Sequence, residues 1–313
     1  MKRFQNKVAE SRKTLPAAVA IGIGIWLLAG LVHQQWWIQF ACFLLSVAVM
    51  TELDNSNALI RIFSRMTPVS FMAFSCSAAF LFPSVTGAIM QLCIITSLYT
   101  LFNCYQDQQA TGWTFYTFLL LGLGSLAEPQ ALWLAPLYWL MMLTTIYCTS
   151  WRTLTASLLG LLCPYWFVGA WILFACHGDF TLIEEHFSQL VSITLPADYQ
   201  SIGLPRILSA AFITILTLVG SIHFVRYSFR DKIRTRQLYN SLMLLYGFAA
   251  LLAVLQPQYI DVMIRIMIVT GSPIVAHFLA LTSTRFTNIV FSVVIGAAAL
   301  LTVFNVWMLS FHC

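Results

Sequence analysis

A succession of long apolar runs constrains this chain most, because it leaves almost nowhere for charge to sit. Of 313 residues, 60% are hydrophobic and 9% are charged, against roughly 25% charged in soluble domains. A water-soluble protein of this length has too little interior to hide so much apolar surface. The runs are continuous rather than alternating at period two, which argues against a transmembrane β-barrel. The expected fold class is all-α, a polytopic transmembrane helix bundle forming a single transmembrane domain over 1–313.

The runs read as about 11 spans, near 15–32, 36–50, 67–82, 85–103, 109–126, 131–148, 153–176, 206–227, 238–255, 261–281 and 286–309. Roughly 20 apolar residues cross the hydrocarbon core. Basic residues set the expected orientation. If the tail bearing Lys2, Arg3, Lys7, Arg12 and Lys13 stays in the cytoplasm, eleven crossings put fourteen of the sixteen basic residues inside, with only Arg206 and Arg265 elsewhere. That asymmetry follows the positive-inside rule, with the N-terminus in and the C-terminus out. The first run then reads as an uncleaved signal-anchor. The basic stretch "RYSFRDKIRTR" becomes a topology-setting loop touching anionic lipid, and no nucleic acid is needed to explain it.

The longest extramembrane piece is an outer loop at 177–205. In it Phe180, Ile183, Phe187, Leu190 and Val191 recur at helical spacing, with Glu184, Glu185, Ser188 and Gln189 off the stripe. A short amphipathic helix is expected there. His177 with Asp179, and Glu184-Glu185-His186, lack a recognised zinc spacing, so no metal is expected. The eight cysteines form no C-x-x-C pair and read as small buried hydrophobes. Walker, HExxH, GxSxG and Rossmann signatures are absent from the sequence, and no cofactor is expected.

Candidate substrate-binding residues are Arg265, Asp261, His277 and Glu128. Arg265 lies about one turn inside the tenth run, where a charge is costly and seldom idle. Asp261 sits four residues earlier on the same helix face. The expected alternatives are a local Asp–Arg pair or a guanidinium gripping a phosphate or carboxylate. Gly271-Ser272-Pro273 is expected to break the run and free a carbonyl near Val269. His277 lies beyond that break, and Glu128 precedes Pro129 in an outer turn.

Two stretches, "NSNALIRIFSRMTPVSFMAFSCSAAFLFPS" and "LGLGSLAEPQALWLAPLYWLMMLTTIYCTSWRTLTASLLGLLCPYWFVGAWIL", resemble an uncharacterised family of bacterial multispanning inner-membrane proteins with no assigned activity. The resemblance is carried by Pro83, the hairpin around Glu128-Pro129, Trp151-Arg152, and Leu158-Leu159-Gly160 with Pro164-Tyr165. It implies an inner-membrane location and transfers no catalytic residue. Three functions stay open. One is a non-catalytic assembly subunit of the cell envelope. The second is an enzyme acting on a lipid-linked, polyprenyl-phosphate precursor. The third is a secondary transporter. Membrane lipids, a lipid-linked glycan or another membrane protein are the expected partners. The first outer loop, "HQQW", lacks the carboxylates that glycosyltransferases using polyprenyl-phosphate sugars usually place there.

Overall fold

The computed structural model describes residues 4–175, 181–192, 199 and 202–312. Among the described residues every regular element is helical, with no strand. The helices are α1 (Phe4–Glu10), α2 (Thr14–Leu28), α3 (Trp37–Asn57), α4 (Met66–Ser77), α5 (Val85–Asn103), α6 (Thr111–Ala127) and α7 (Ala135–Thr144). They continue with α8 (Trp151–Ala175), α9 (Thr181–Val191), α10 (Leu204–Tyr227), α11 (Ile233–Leu255), α12 (Ile260–Leu281) and α13 (Arg285–His312). Short 3₁₀ turns follow α4 (Ala79–Leu81), α6 (Pro129–Leu134), α10 (Ser228–Arg230) and α11 (Pro257–Tyr259). The chain forms two compact units, Met1–Val85 with Asp198–Cys313, and Thr86–Ala197.

Each of the eleven apolar runs meets a helix, and the run at 85–103 has the bounds of α5. Seven helices among the described residues are long and apolar enough to cross a membrane: α3, α5, α8, α10, α11, α12 and α13. Two of the shorter helices adjoin 3₁₀ turns. α4 stops after 12 residues at Ser77 and gives way to a 3₁₀ turn. The run at 131–148 loses its start to the six-residue turn Pro129–Leu134, leaving α7 only 10 residues.

α12 is the core of the first unit. It packs against α4, α10, α11 and α1, and only Asp261 and Leu281 escape burial along it. A helix apolar on all sides belongs inside a larger assembly of helices. The expected interruption at Gly271-Ser272-Pro273 is not there, since α12 runs unbroken through Pro273. The carbonyl of Val269 accepts a bond from the Ser272 hydroxyl at 3.3 Å, so the proline strands no buried acceptor there. Gly271 is needed for close approach. A Cβ there would stand 2.7 Å from Thr217 Oγ1 and 3.1 Å from the Tyr246 ring. By contrast, the α13 face bearing Phe286, Ile289, Val293, Leu300 and Val303 is exposed and apolar.

The second unit is organised on α6 against α8. There a Cβ on Gly160 would collide with the Phe115 backbone carbonyl, so only glycine lets the two backbones meet. The expected amphipathic helix is present as α9. Phe187 stacks on Tyr165 with ring centroids 5.6 Å apart, while Glu184, Glu185, Ser188 and Gln189 stay exposed. Phe180 and the side chains of Ile183 and Val191 lie outside the described residues, as do His177 and Asp179.

Candidate functional site

Within the first unit, the residues singled out by sequence lie at two ends of α12. Asp261 and Arg265 sit near the start of α12, and His277 lies twelve residues beyond Arg265, about 18 Å along the helix axis. Glu128 belongs to the second unit, where its carboxylate accepts a bond from the Thr86 hydroxyl at 2.6 Å.

Asp261 does not pair with Arg265. Its carboxylate takes two bonds from Arg206 of α10, from Nε at 2.6 Å and Nη2 at 2.8 Å. An acid in the first turn also suits the positive end of α12. Arg265 turns inward, 6% exposed, and donates to the carbonyl of Leu81. The reason lies in α4, which ends inside the bundle and leaves orphan carbonyls that need donors. Ser209 Oγ and Asn305 Nδ2 serve the carbonyl of Ser77, and Arg265 serves that of Leu81. Arg265 is therefore part of the closure of a buried helix end, and a ligand is not required to explain it.

The Leu281 end of α12 is built differently. Nε2 of His277 lies 3.1 Å from Oδ2 of Asp231, with the two side chains 1% and 3% exposed. Asp231 follows the turn Ser228–Arg230 that leads from α10 into α11. With Nε2 facing a carboxylate, the ring is held as the Nε2–H tautomer, leaving Nδ1 as an acceptor in the neutral form. That Nδ1 is buried and has no partner. His223 of α10 lies beside it, ring centroids 6.2 Å apart, and its Nδ1 is likewise buried and unpartnered. Phe224 and Tyr239 wall the His277 ring at 5.1 and 5.0 Å.

His223, Asp231 and His277 border a cavity of about 240 Å³ that also receives Arg61, Tyr227, Arg230 and the hydroxyl-bearing residues Thr282, Ser283, Thr284 and Thr287. Neighbouring basic residues are engaged elsewhere. Arg65 donates to Asn55 at 2.6 Å and Arg234 to Asn57 at 2.8 Å. Arg230 lies over the rings of Tyr227 and Phe229, which hold it near the cavity rim. Two guanidiniums, several hydroxyls and two imidazoles make a site chemically suited to a tetrahedral oxyanion.

His277 alone among the residues of this site was marked by sequence reasoning. Asp231 carried a readable signal, as the single acid in "RYSFRDKIRTR". His223, Arg61 and Arg230 carried none, since their meeting depends on how α10, the α3–α4 loop and α12 converge. Among the described residues no cluster of three His, Cys, Asp or Glu side chains is arranged to hold a metal ion. In the second unit, burial lowers the His186 pKa on α9. Compared with known proteins, the chain matches no family model, no curated protein and no solved structure.

Proposed function

We propose that this is a multispanning bacterial inner-membrane protein that binds the phosphate of a membrane-resident ligand in the cavity at the Leu281 end of α12. The observation that carries the reading is one cavity lined by Arg61 and Arg230 together with His223 and His277, each of which has a buried Nδ1 without a partner, while the Asp231 carboxylate on the same cavity is engaged by His277 Nε2. Leaving buried polar atoms without partners costs about 1–3 kcal/mol each, and a bound phosphate monoester relieves that cost. Near neutral pH a monoester still carries a proton for part of the time, and that O–H can donate a hydrogen bond to His277 Nδ1 while the guanidiniums take the other oxygens.

The cavity lies among Arg61, Arg230 and Asp231, residues of the loops that the charge asymmetry puts in the cytoplasm with the N-terminus. The ligand is accordingly reached from the cytoplasmic interface. This fits handling of a phosphate-bearing, lipid-linked envelope precursor. Transport along α12 finds less support, because the Gly271 face is closed by Thr217 and Tyr246.

Titration of inorganic phosphate into the purified protein in nanodiscs tests the binding. Arg61→Gln with Arg230→Gln is expected to weaken it at least tenfold. Unchanged affinity in a folded double variant overturns the reading and leaves an assembly role. Orientation is tested with Lys232→Cys in intact cells, where a membrane-impermeant thiol reagent is expected not to reach the new cysteine.

A further inference from the structure

The structure holds a second concavity in the same unit. It is a groove of about 440 Å³ between α2, α4 and α13, lined by residues such as Ile21, Met72, Cys76, Val294 and Ala298. Its lining is almost wholly apolar, and Gly22, Ala18, Ala298 and Ala299 keep it unfilled.

Two features join this groove to the polar cavity. On α13, Thr287 lines the cavity and Phe291 lines the groove. Residues four apart on a helix differ by about 40° in direction, so the two share a face. Val294, Ala298 and Thr302 carry that stripe onward along the groove. At the end of α12, Leu279 borders the groove, and Thr282, just past the helix, borders the cavity. The Gln5 side-chain amide spans them, donating to the Leu279 carbonyl at 2.6 Å and to the Thr282 hydroxyl at 2.7 Å. Phe4 packs its ring edge-on against Phe291, 6.0 Å away, where the two regions meet.

We propose that cavity and groove are the two halves of one site, in which the groove takes the hydrocarbon chain of a lipid whose phosphate occupies the cavity. This rests on the phosphate reading above and adds that the ligand is an amphiphile rather than a free phosphate. The hydroxyl of Thr287 lies at the cavity, and the apolar groove begins one turn on at Phe291, on one stripe of α13, while the guanidiniums of Arg61 and Arg230 reach the same cavity from other elements. Neither a soluble phosphate compound nor a helix of a second copy uses both parts.

The test is retention of phosphatidic acid, followed by native mass spectrometry of protein released from nanodiscs that also contain phosphatidylcholine. Wild-type protein is expected to keep phosphatidic acid in preference to phosphatidylcholine. Ala298→Phe, which fills the groove, is expected to reduce that retention at least tenfold while leaving inorganic phosphate binding unchanged. Wild-type-like retention by a folded Ala298→Phe protein overturns the proposal and leaves the phosphate reading standing. A change of oligomeric state without loss of lipid also overturns it, in favour of a second copy on the groove. Failure of both phosphatidic acid and inorganic phosphate to bind removes the phosphate reading itself. Should Ala298→Phe not fold, a chain-length series on the unaltered protein in amphipol decides. Short-chain phosphatidic acids are expected to bind about fourfold tighter per added methylene, and affinity independent of chain length overturns the proposal.

Discussion

The two ends of α12 carry the same kind of object under opposite conditions. At one end Arg206 and Asp261 meet through two short bonds, with side chains 38% and 43% exposed. At the other, His277 and Asp231 meet through one contact of 3.1 Å, with side chains 1% and 3% exposed. The exposed pair satisfies itself and contributes little, as surface pairs do. The buried pair is costly to desolvate and ends with an imidazole nitrogen unmatched. An arrangement that is both expensive and incomplete calls for something beyond folding. A buried, unfinished pair that borders a cavity also lined by Arg61 and Arg230, rather than charge inside an apolar run or one unmatched buried atom, separates the candidate site from ordinary architecture here.

The largest expected effect comes from breaking the buried pair on one side only. His277→Ala leaves the Asp231 carboxylate buried without its imidazole, and is expected to cost about 3–5 kcal/mol of stability. Asp231→Asn keeps an oxygen facing Nε2, and is expected to cost about 1–3 kcal/mol. Thermal unfolding in a single detergent measures both. Both variants are expected to bind inorganic phosphate more weakly as well. If His277→Ala is no more harmful than a change at the exposed pair, the contrast between the two ends collapses.

Arg265 sharpens the comparison because it is buried yet complete. Arg265→Leu removes a charged donor from the Leu81 carbonyl, and is expected to cost about 2–3 kcal/mol. Phosphate affinity is expected to stay at the wild-type value, since the cavity begins about 18 Å along the helix. A loss of affinity with stability preserved would return Arg265 to the binding site.

Midway along the same helix, Gly271→Ala is expected to cost about 1–3 kcal/mol through overpacking. Thr217→Ala removes the oxygen that the new Cβ meets first. The double variant should therefore recover part of the loss, a non-additivity visible in the same unfolding assay. Additive costs would mean that α10 and α12 do not meet closely at this point.

Helical class was readable because apolar composition and length decide it locally, and the run at 85–103 coincides with α5, whereas the runs at 36–50, 67–82 and 131–148 do not share the bounds of their helices. The end of α4 inside the bundle was not readable. Nothing local stops an apolar helix at Ser77, whose carbonyl is met by Ser209 and Asn305, while Arg265 meets that of Leu81 in the following turn, so that the donors come from three distant helices. That is also why Arg265 invited a functional reading: the acceptor it serves lies 184 positions away in the chain. His277 was visible as a polar residue in a greasy run, but its partner Asp231 lies 46 positions back, inside a loop whose charge had a sufficient topological explanation. The Gly271-Ser272-Pro273 stretch was recognisable as special and assigned the wrong reason. Glycine serves an interhelical contact there, and serine answers the carbonyl that proline exposes.

The smallest expected effect belongs to the exposed pair. Arg206→Gln keeps much of the side chain against Phe80, over whose ring the guanidinium lies at 5.6 Å, and removes the charge. A half-exposed pair is screened by salt and contributes up to about 1 kcal/mol. The cost is therefore expected to lie within that range at low ionic strength and to fade at high salt, with phosphate binding untouched. The salt dependence makes the test discriminating, because the penalty for His277→Ala sits behind buried walls and should hardly change over the same range. A large, salt-independent cost at Arg206 would show that this end is shielded too, and burial would no longer distinguish a site from a structural pair in this helix.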